Sequence, residues 1–317
     1  MRPAVSVAWP KLVYPVPHTH AALQLNPPGD EDRLATGLAA LQEEDLAFTD
    51  QTDAELHPFI WSAQGELYRE VLFERLKRRY KVDLELMPPR IRYRETIRIG
   101  AEARYRHKKQ SGGAGQFAEV WLRIEPEARD EGIPFTPSLV DQDVDRVFVP
   151  SVEQSVQTAA IEGIHGGYRV TKAKINLIGG KIHPVDSKDI AFQIAGYFAF
   201  KEAFRPARPV LLEPIHELKI RVPEEFVGRV VGDISGRRGK ILDRAVSGRL
   251  EVLRAQVPAA QLHHDGTVPR SLTGGCGLRT EKFSHSEDMP AELEKTIVTD
   301  STAARAAGTA RNHAHHS

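Results

Sequence analysis

Hydrophobic residues along this chain switch repeatedly between two spacings. Leu34, Leu38 and Leu41 follow one another at intervals of four and three, which is the spacing of one face of an α-helix. Within 82–86, apolar and acidic residues alternate, which is the spacing of a half-buried β-strand. Because this switch recurs along most of the chain, the sequence predicts an α+β fold and excludes coiled-coil, collagen-like and fully disordered chains.

The composition limits the number of domains and the kinds of site. With 317 residues, of which 41% are hydrophobic, the chain is long enough for two or three domains that each bury a core. Lys and Arg together number 43 and so do Asp and Glu, so only local patches of charge can attract a nucleic acid. The single cysteine, Cys276, rules out a disulfide framework and a thiolate zinc site and favours the reducing cytoplasm. No apolar run approaches the roughly 20 residues of a membrane span.

Proline and glycine signals divide the chain into three folded segments and a tail. The segment 14–89 shows the order strand, helix, strand, helix, strand, which favours a small sheet with two helices on one face. The segments 90–208 and 209–290 also mix strand and helix patterns. The residues of 291–317 are rich in Ala, Thr, Asn and His and have little to bury, which predicts a disordered tail.

Two local predictions concern the second half of the segment 90–208. A strand is predicted from Tyr168 to Leu177, with a turn at Gly179–Gly180. A helix is predicted over 189–204, with apolar residues at a period of four. These apolar residues are Ile190, Ile194 and Phe198.

No motif for nucleotide hydrolysis or for another catalytic reaction is found. A P-loop needs two glycines at a fixed spacing and a Lys followed by Ser or Thr, because the backbone amides and the Lys surround the phosphates together. The nearest matches, Gly179–Lys181 and Gly236–Lys240, have neither the glycine spacing nor the hydroxyl residue. His313, His315 and His316 could chelate a metal, but a solvated tail is the favoured interpretation, so no metal site is predicted.

A glycine-rich loop with a basic approach is the sharpest local feature of the sequence. The loop, Ser111–Gly115, follows His107–Gln110, and the stretch from Arg90 to Gln116 holds eight Lys or Arg against two acidic residues. Glycines allow close approach to a ligand, and exposed cations at a strand tip suit a phosphate backbone. The residues alone leave RNA contact and an ordinary charged hairpin loop both open.

Two weaker signals lie further along the chain. His183 is on a turn between a predicted strand and a predicted helix, where a surface histidine without a special role is the simpler interpretation. A second basic run, from Arg229 to Arg244, is interleaved with glycines. It suits either cations at a helix C-terminus or a second phosphate-contacting surface, and the residues do not decide between these.

An ordered series of short motifs extends over about 14–290. Taken together, these motifs resemble the C-terminal half of bacterial elongation factor G, and the group Tyr-Arg-Glu-Thr-Ile, Gln-Ser-Gly-Gly and Leu-Leu-Glu-Pro-Ile in this order is highly specific. The series comprises Leu41–Asp45, Gly65–Leu67, Tyr93–Ile97, Lys109–Gly113 with Gly115 and Gln116, Val185–Ser187, Ala191–Phe192, Phe200–Ala203, Pro209–Ile215, Gly232–Asp233 with Arg237–Gly239, and Arg270–Gly274.

The resemblance implies a domain organisation. It makes 14–89 domain III and 209–290 domain V, both ferredoxin-like α/β sandwiches, and it makes 90–208 domain IV, an elongated α/β domain with a ribosomal-protein-like fold whose tip enters the decoding site. The residues of 1–13 would be a remnant of domain II or a linker. The GTP-binding domain of the family is not recognisable in the sequence, so the chain is not expected to be an enzyme, and GTP and Mg would belong to the missing domain.

The resemblance also implies sites and partners. The partners would be both ribosomal subunits, ribosomal RNA and the transfer RNA–messenger RNA duplex, with a separate GTPase-domain chain as a further candidate and no membrane. The domain V contacts with RNA would be Gly232, Asp233, Arg237, Arg238 and Gly239. The domain IV tip contacts would be Lys108, Lys109, Gln110, Ser111, Gly112, Gly113, Gly115, Gln116 and His183.

Some positions depart from the family pattern, and three functions stay open. Ala114 stands where a basic or polar residue is common, and Thr273–Gly275 resembles paralogues of uncertain role. The chain could be the C-terminal part of a translocation factor, made as a fragment or separately from its GTPase domain. It could instead be a stand-alone RNA-binding module that occupies the ribosome, as a ribosomal-protection protein would, or a truncated product without function.

Overall fold

The computed structural model of the chain describes ten stretches of residues. Residues 1–13, for which a domain II remnant is predicted, lie outside them. The contacts between Cα atoms divide the chain into two compact units, Met1–Ile91 with Ile215–His285 and Arg92–Pro214 with Ser286–Ser317. Among the described residues, no helix is long and apolar enough to cross a membrane. The described stretches are 19–26, 29–46, 48–52, 59–63, 65–109, 115–128, 132–139, 144–263, 272–273 and 276–314.

The N-terminal part of the first unit is a four-stranded antiparallel sheet with two helices. Its elements in chain order are β1 (Thr19–Leu25), α1 (Glu31–Glu44), β2 (Thr49–Thr52), β3 (Phe59–Ala63), α2 (Glu66–Tyr80) and β4 (Leu84–Met87). The order βαββαβ and the strand order β2-β3-β1-β4 are those of a ferredoxin-like sandwich. The strand β2 is absent from the sequence prediction because its Thr-Asp-Gln-Thr sequence has no apolar alternation.

One apolar core lies between this sheet and its helices. Leu34, Leu38 and Leu41 are buried on α1, as their spacing predicts, and they pack with Trp61 and Leu84 from the sheet. Burying an aliphatic side chain of this size contributes about 2 kcal/mol, so a single stripe accounts for much of the attachment of α1.

The second unit contains a long hairpin. Its elements are β5 (Arg94–Ile97), β6 (Ala101–Lys109), β7 (Gln116–Pro126), β8 (Phe135–Pro137), α3 (Val149–Glu162), β9 (Ala173–Lys181) and α4 (Asp189–Phe204). The sheet has the order β6-β7-β9-β8, in which only β8 and β9 are parallel. The helix α4 packs on β6 and β7, and α3 packs on α4.

The strand β9 differs from the prediction at both ends. It begins at Ala173 and continues through Gly179–Gly180 to Lys181, so the predicted turn at these glycines is wrong. A Cβ on Gly180 would lie 2.2 Å from the carbonyl oxygen of Glu119, and one on Gly179 would lie 2.6 Å from the Trp121 ring. The glycines therefore allow β9 to lie close against β7, rather than to reverse its direction.

The buried face of α4 also differs from the predicted stripe. Ile190 and Phe198 are 47% and 41% exposed, respectively. The buried residues of the helix are instead mostly small or aromatic, and they pack against the sheet and against α3. They are Ala191, Phe192, Ala195, Gly196, Ala199, Phe200, Ala203 and Phe204. The ring of Phe198 lies 5.1 Å from that of Tyr105 on β6, so the residues at a period of four border the buried face of the helix.

The next elements complete the first unit with a second ferredoxin-like arrangement. They are β10 (Pro209–Val222), α5 (Val227–Gly236), β11 (Lys240–Ser247), β12 (Leu250–Pro258), α6 (Ala259–His263) and β13 (Leu278–Asp288). The strand order is β11-β12-β10-β13, with α5 and Leu262 of α6 buried against the sheet. Both β10 and β13 contribute residues to the two units, and in the second unit Pro209–Leu212 pairs with β5. The α+β prediction is confirmed in all three segments.

The residues predicted as a disordered tail are helical over most of their length. The helix α7 (Ala291–Ala314) belongs to the second unit. Glu294 accepts hydrogen bonds from His165 Nε2 at 3.0 Å and from the Leu211 amide at 3.3 Å, and Ser301 donates to the Gly166 carbonyl. The helix is thus held largely by polar contacts. Its apolar pattern is weak for this reason and does not predict a helix.

Candidate nucleic-acid interface

The hairpin β6–β7 carries the predicted RNA-contacting loop at its end. Lys109 pairs with Gln116 and Lys108 with Phe117, so the strands are in register up to the loop. Both lysines are exposed. Of the predicted tip residues, Gln110, Ser111, Gly112 and Gly113 lie outside the described residues.

The turn after β9 lies against this hairpin end. The Phe117 amide donates to the carbonyl oxygen of Asp186 at 2.9 Å, and Ser187 Oγ donates to the Phe117 carbonyl at 2.9 Å. A Cβ on Gly115 would lie 2.7–2.8 Å from the carboxylate atoms of Asp186. Only glycine therefore fits at position 115 without a shift of its neighbour, and the structure brings the predicted tip residues Gly115, Gln116 and His183 into one region.

His183 is held in one orientation by its own turn. Its Nδ1 accepts hydrogen bonds from the amides of Asp186 and Val185 at 3.2 and 3.4 Å, and its amide donates to Ser187 Oγ at 2.8 Å. Nδ1 also lies 3.4 Å from Asp186 Oδ2, so the turn occupies this ring nitrogen and leaves Nε2 for a ligand. The side chain is 50% exposed and the ring centroid lies 6.0 Å from that of Phe117. His183 is therefore held at the tip with its Nε2 left for a ligand.

A charge network continues from the tip along the outer face of the hairpin. Glu119 accepts hydrogen bonds from Arg106 Nε at 2.6 Å and from Trp121 Nε1 at 2.8 Å. Burial alone would raise the pKa of Glu119, but the hydrogen bonds from Trp121 and Arg106 and the charges of Arg106 and Lys181 lower it overall. The Arg104 guanidinium lies 4.4 Å from the Trp121 ring centroid.

No motif marks this network in the sequence, although the spacing of its residues is a signal for it. Arg104 and Arg106 occur at a spacing of two on β6, and Glu119 and Trp121 occur at the same spacing on β7. Residues at this spacing share one face of a strand. The alternation of residues along β6 and β7 therefore predicts that all four side chains share the outer face of the hairpin.

Two of the predicted domain V contacts are engaged within the protein. Arg237 Nε donates to both carboxylate oxygens of Asp233 at 2.9 and 3.0 Å, and Arg237 Nη1 donates to the Gln261 carbonyl at 2.6 Å. The side chains of Arg237 and Asp233 are only 15% and 24% exposed. These residues join the end of α5 to α6, which the sequence pattern could not distinguish from RNA contact.

The other predicted domain V residues lie at the surface of the same helix end. Arg238 is exposed and has a left-handed backbone with a φ of +56°. A Cβ added at Gly228, Gly232 or Gly236 would meet no atom within 4 Å. These three glycines are four residues apart and exposed, so they form one bare face of α5, which we call the glycine face. Gly239 is instead packed against Ile234.

The tail histidines give no information on a metal site. The side chains of His313, His315 and His316 lie outside the part of the chain whose side chains are described. Among the described residues, no group of three or more potential metal-ligating side chains comes together.

Comparisons with known proteins agree with this arrangement of domains. Three family models match in succession: "Elongation Factor G, domain III" at residues 14–88, "Elongation factor G, domain IV" at 89–208 and "Elongation factor G C-terminus" at 210–297. A crystal structure of a protein from Thermus thermophilus is similar to this chain, with 37% sequence identity and a TM-score of 0.83. The similarity covers 92% of this chain and 44% of that protein, so the chain spans less than half of it. The chain belongs to the elongation factor G family, of which it carries domain III, domain IV and the C-terminal domain.

Proposed function

We propose that this chain is the ribosome-binding portion of a translation factor of the elongation factor G type, and that it acts in the translocation of transfer RNA and messenger RNA. The observation that carries the proposal is the tip of the hairpin β6–β7. There, two exposed lysines, Lys108 and Lys109, lie at the end of the strands, beside a turn that holds the ring of His183 at the surface. The three matched domains supply the context in which such a tip contacts RNA.

The tip combines the two features that binding to structured RNA requires. Exposed lysines contact phosphates and position the protein, because they gain affinity from the release of counterions. The Nε2 atom of His183 can hydrogen-bond sugar or base edges, since its ring is held by the amides of Val185 and Asp186. We propose that the transfer RNA–messenger RNA duplex in the decoding site is the ligand. We also propose that Gln110–Gly113, which lie outside the described residues, form part of the same contact.

For the C-terminal domain we propose a contact with large-subunit RNA through the glycine face of α5. A bare helix face lets a large ligand approach the backbone closely, and the exposed cations Arg238 and Lys240 lie at its end. Gly232 and Arg238 are the predicted residues that fit this role. Asp233, Arg237 and Gly239 would support the surface from within.

The chemistry that drives translocation would come from elsewhere. The three matched models are domains that do not carry the nucleotide site of the family, and the sequence contains no P-loop motif. We propose that GTP hydrolysis belongs to a GTPase domain on the same or another chain, and that the factor works in the cytoplasm with both ribosomal subunits.

The tip assignment can be tested by ribosome sedimentation at several salt concentrations. Replacing both Lys108 and Lys109 with Ala should weaken ribosome binding and flatten its salt dependence, by about 0.7–0.9 in log–log slope for each lost phosphate contact. The matched control replaces Lys174 and Arg123, which are paired with Glu125 and Glu102 at 3.1 and 2.7 Å on the same sheet. The control should leave the slope unchanged. An unchanged slope in the tip variant would remove the tip assignment.

A further inference from the structure

The outer face of the hairpin carries a second cluster, several residues away from the tip. The register places Arg104 opposite Trp121, and Trp121 opposite Gly179. One step closer to the tip, Arg106 is opposite Glu119, and Glu119 is opposite Lys181. We call this cluster the flank patch. It consists of Arg104, Arg106, Glu119, Trp121 and Lys181.

The Trp121 ring in the flank patch is fixed from two sides. Its Nε1 donates to Glu119, a residue that is 7% exposed, at 2.8 Å. The ring also fills the space above Gly179, where a Cβ would lie 2.6 Å from a ring carbon. The Arg104 guanidinium lies over the ring at 4.4 Å, so the two side chains form a stacked pair at the surface, with the indole as its rigid base.

The flank patch has an excess of positive charge that the rest of the same face does not have. Its three cations face one carboxylate, and the ion pair that the described residues form there is between Glu119 and Arg106. The half of the face further from the tip is instead neutralised by pairs. These are Arg123 with Glu102 at 2.7 Å and Lys174 with Glu125 at 3.1 Å.

We propose that the flank patch binds a single-stranded segment of RNA, with a base stacked on the Arg104–Trp121 pair and phosphates near Arg106 and Lys181. Unpaired bases stack on aromatic rings and on guanidinium planes, and cations beside the stack follow the backbone. An acidic protein segment would match the charge but would not use the fixed ring. The proposal extends the proposed function, because it supplies a second RNA contact beside the tip.

The spacing is compatible with one strand of RNA that reaches both contacts. Lys108 is four residues beyond Arg104 on β6, which corresponds to about 13 Å along an extended strand. A few nucleotides cover this distance, so the flank patch would hold single-stranded RNA that continues from a duplex at the tip.

Tryptophan fluorescence of the full chain provides a direct measurement. The chain has three Trp, of which Trp61 is fully buried in the first unit. Titration with an oligouridylate of about ten nucleotides, without ribosomes, should quench fluorescence, and the Trp121→Phe variant should lose that quench. In fluorescence anisotropy with a labelled oligonucleotide, Arg104→Ala should weaken binding roughly tenfold, as loss of one stacking contact does. The matched control, Arg123→Ala on the paired half of the face, should change it by less than about twofold.

Several outcomes would overturn the proposal. These are a quench that persists in Trp121→Phe, an Arg123→Ala variant as weak as Arg104→Ala, and a polyglutamate peptide that binds as tightly as the oligonucleotide with the same quench. Thermal melts of each variant would show whether it is folded, and Lys181→Ala, which alters no buried contact of the ring, gives an independent measure of affinity. The Lys108/Lys109 variant assayed on ribosomes separates this proposal from the tip assignment, because either can fail while the other holds.

Discussion

Glu95, in the motif Tyr93–Ile97, has a structural role that accounts for its place in that motif. Its carboxylate is fully buried and accepts five backbone hydrogen bonds, of 2.6–2.9 Å, from the consecutive amides of residues 164–168. An ionised carboxylate can satisfy a row of donors that no neutral side chain can match. Glu95 thus organises the loop between α3 and β9 from a position on β5.

Replacing Glu95 with Gln should therefore destabilise the second unit. The amide group of Gln brings its own donors against the five amides, so we expect a loss of about 3 kcal/mol in the free energy of unfolding. Urea denaturation followed by circular dichroism measures this loss. The control, Glu102→Gln, removes a carboxylate that is 47% exposed and should cost less than about 1 kcal/mol. Equal losses in the two variants would contradict the role assigned to Glu95.

Gly232 should show opposite effects on stability and on binding. A helix-interior glycine costs about 1 kcal/mol relative to Ala, and here the Cβ of an Ala would meet nothing. Gly232→Ala is therefore expected to raise the thermal stability of the chain while it weakens ribosome binding, because the new methyl group obstructs the glycine face. A variant that is more stable and binds as well as the parent would show that the glycine face is not the contact surface.

Arg238 has the same kind of conflict between conformation and function. A left-handed backbone costs a residue with a side chain roughly 1 kcal/mol relative to glycine, so Arg238→Gly should make the chain more stable. It should also reduce ribosome affinity and its salt dependence, because a cation is lost. Sedimentation and thermal melts on one preparation check both effects. A stabilised variant with unchanged affinity would contradict a role of Arg238 in RNA contact.

At the scale of elements, β1, β10 and β13 bring titratable side chains together in the first unit. Glu281 lies 3.4 Å from His20 Nε2, 3.9 Å from His216 Nδ1 and 2.6 Å from the Arg279 guanidinium. Burial alone would raise the pKa of Glu281, but the hydrogen bond from His20 and the charges of Arg279, His20 and His216 lower it to about 2. Burial lowers the pKa of His216, which favours its neutral form. The cluster therefore joins these strands through one charged carboxylate.

This cluster predicts how the stability of the first unit depends on pH. A folded-state pKa of about 2, against 4.5 for a free carboxyl, stabilises the fold above pH 4.5, by on the order of 3 kcal/mol, and this is lost as the pH falls from 4.5 toward 2. Since the pKa of His216 is lowered from 6.5, the unfolded chain takes up its proton first, and stability should already begin to fall below pH 6.5.

Urea denaturation between pH 3 and pH 8 tests both parts of the curve. His216→Asn should flatten it just below pH 6.5, and Glu281→Gln should remove the fall below pH 4.5 while it lowers stability at neutral pH. Glu217→Gln on the same strand β10, where the carboxylate is 33% exposed, is the control and should leave both parts in place. A curve that is unaltered in either cluster variant would contradict the corresponding assignment.

Which elements the sequence could predict depends on where their stabilising contacts come from. The helix α1 is predictable because its buried leucines are four and three residues apart and all face one core. In α4 the apolar residues at a period of four are only partly buried, since alanines and phenylalanines at other positions form the buried face. The helix α7 depends on hydrogen bonds to a loop distant in sequence, and no local pattern records such contacts.

The candidate site was predictable only in part, for similar reasons. The lysines at the tip and His183 could be identified because short motifs surround them. The internal roles of Asp233 and Arg237 depend on the position of α6, and the fixing of Trp121 depends on a glycine 58 positions further along the chain. Such contacts between distant positions become visible only in the folded structure.

Across the domains together, the described residues form three separate apolar cores, each belonging to one matched domain. Each domain therefore buries its own apolar side chains. The similarity covers 44% of the Thermus protein, so this chain corresponds to a part of that larger protein.

The purified chain should not hydrolyse GTP. When it is mixed with ribosomes and GTP, phosphate release is expected to stay at the level of ribosomes alone, because the matched domains do not carry the nucleotide site of the family. Adding a GTPase-domain chain tests for complementation. Clear turnover by this chain alone would contradict the proposed division of roles.

The tight fit of Gly115 against Asp186 makes two stretches of chain, far apart in sequence, mechanically dependent on each other. Any side chain at 115 has to displace the Asp186 carboxylate, which lies 3.4 Å from His183 Nδ1. A substitution in the glycine-rich stretch would thus first change the orientation of the His183 ring. Genetic suppressors of such a substitution would arise around residues 183–187.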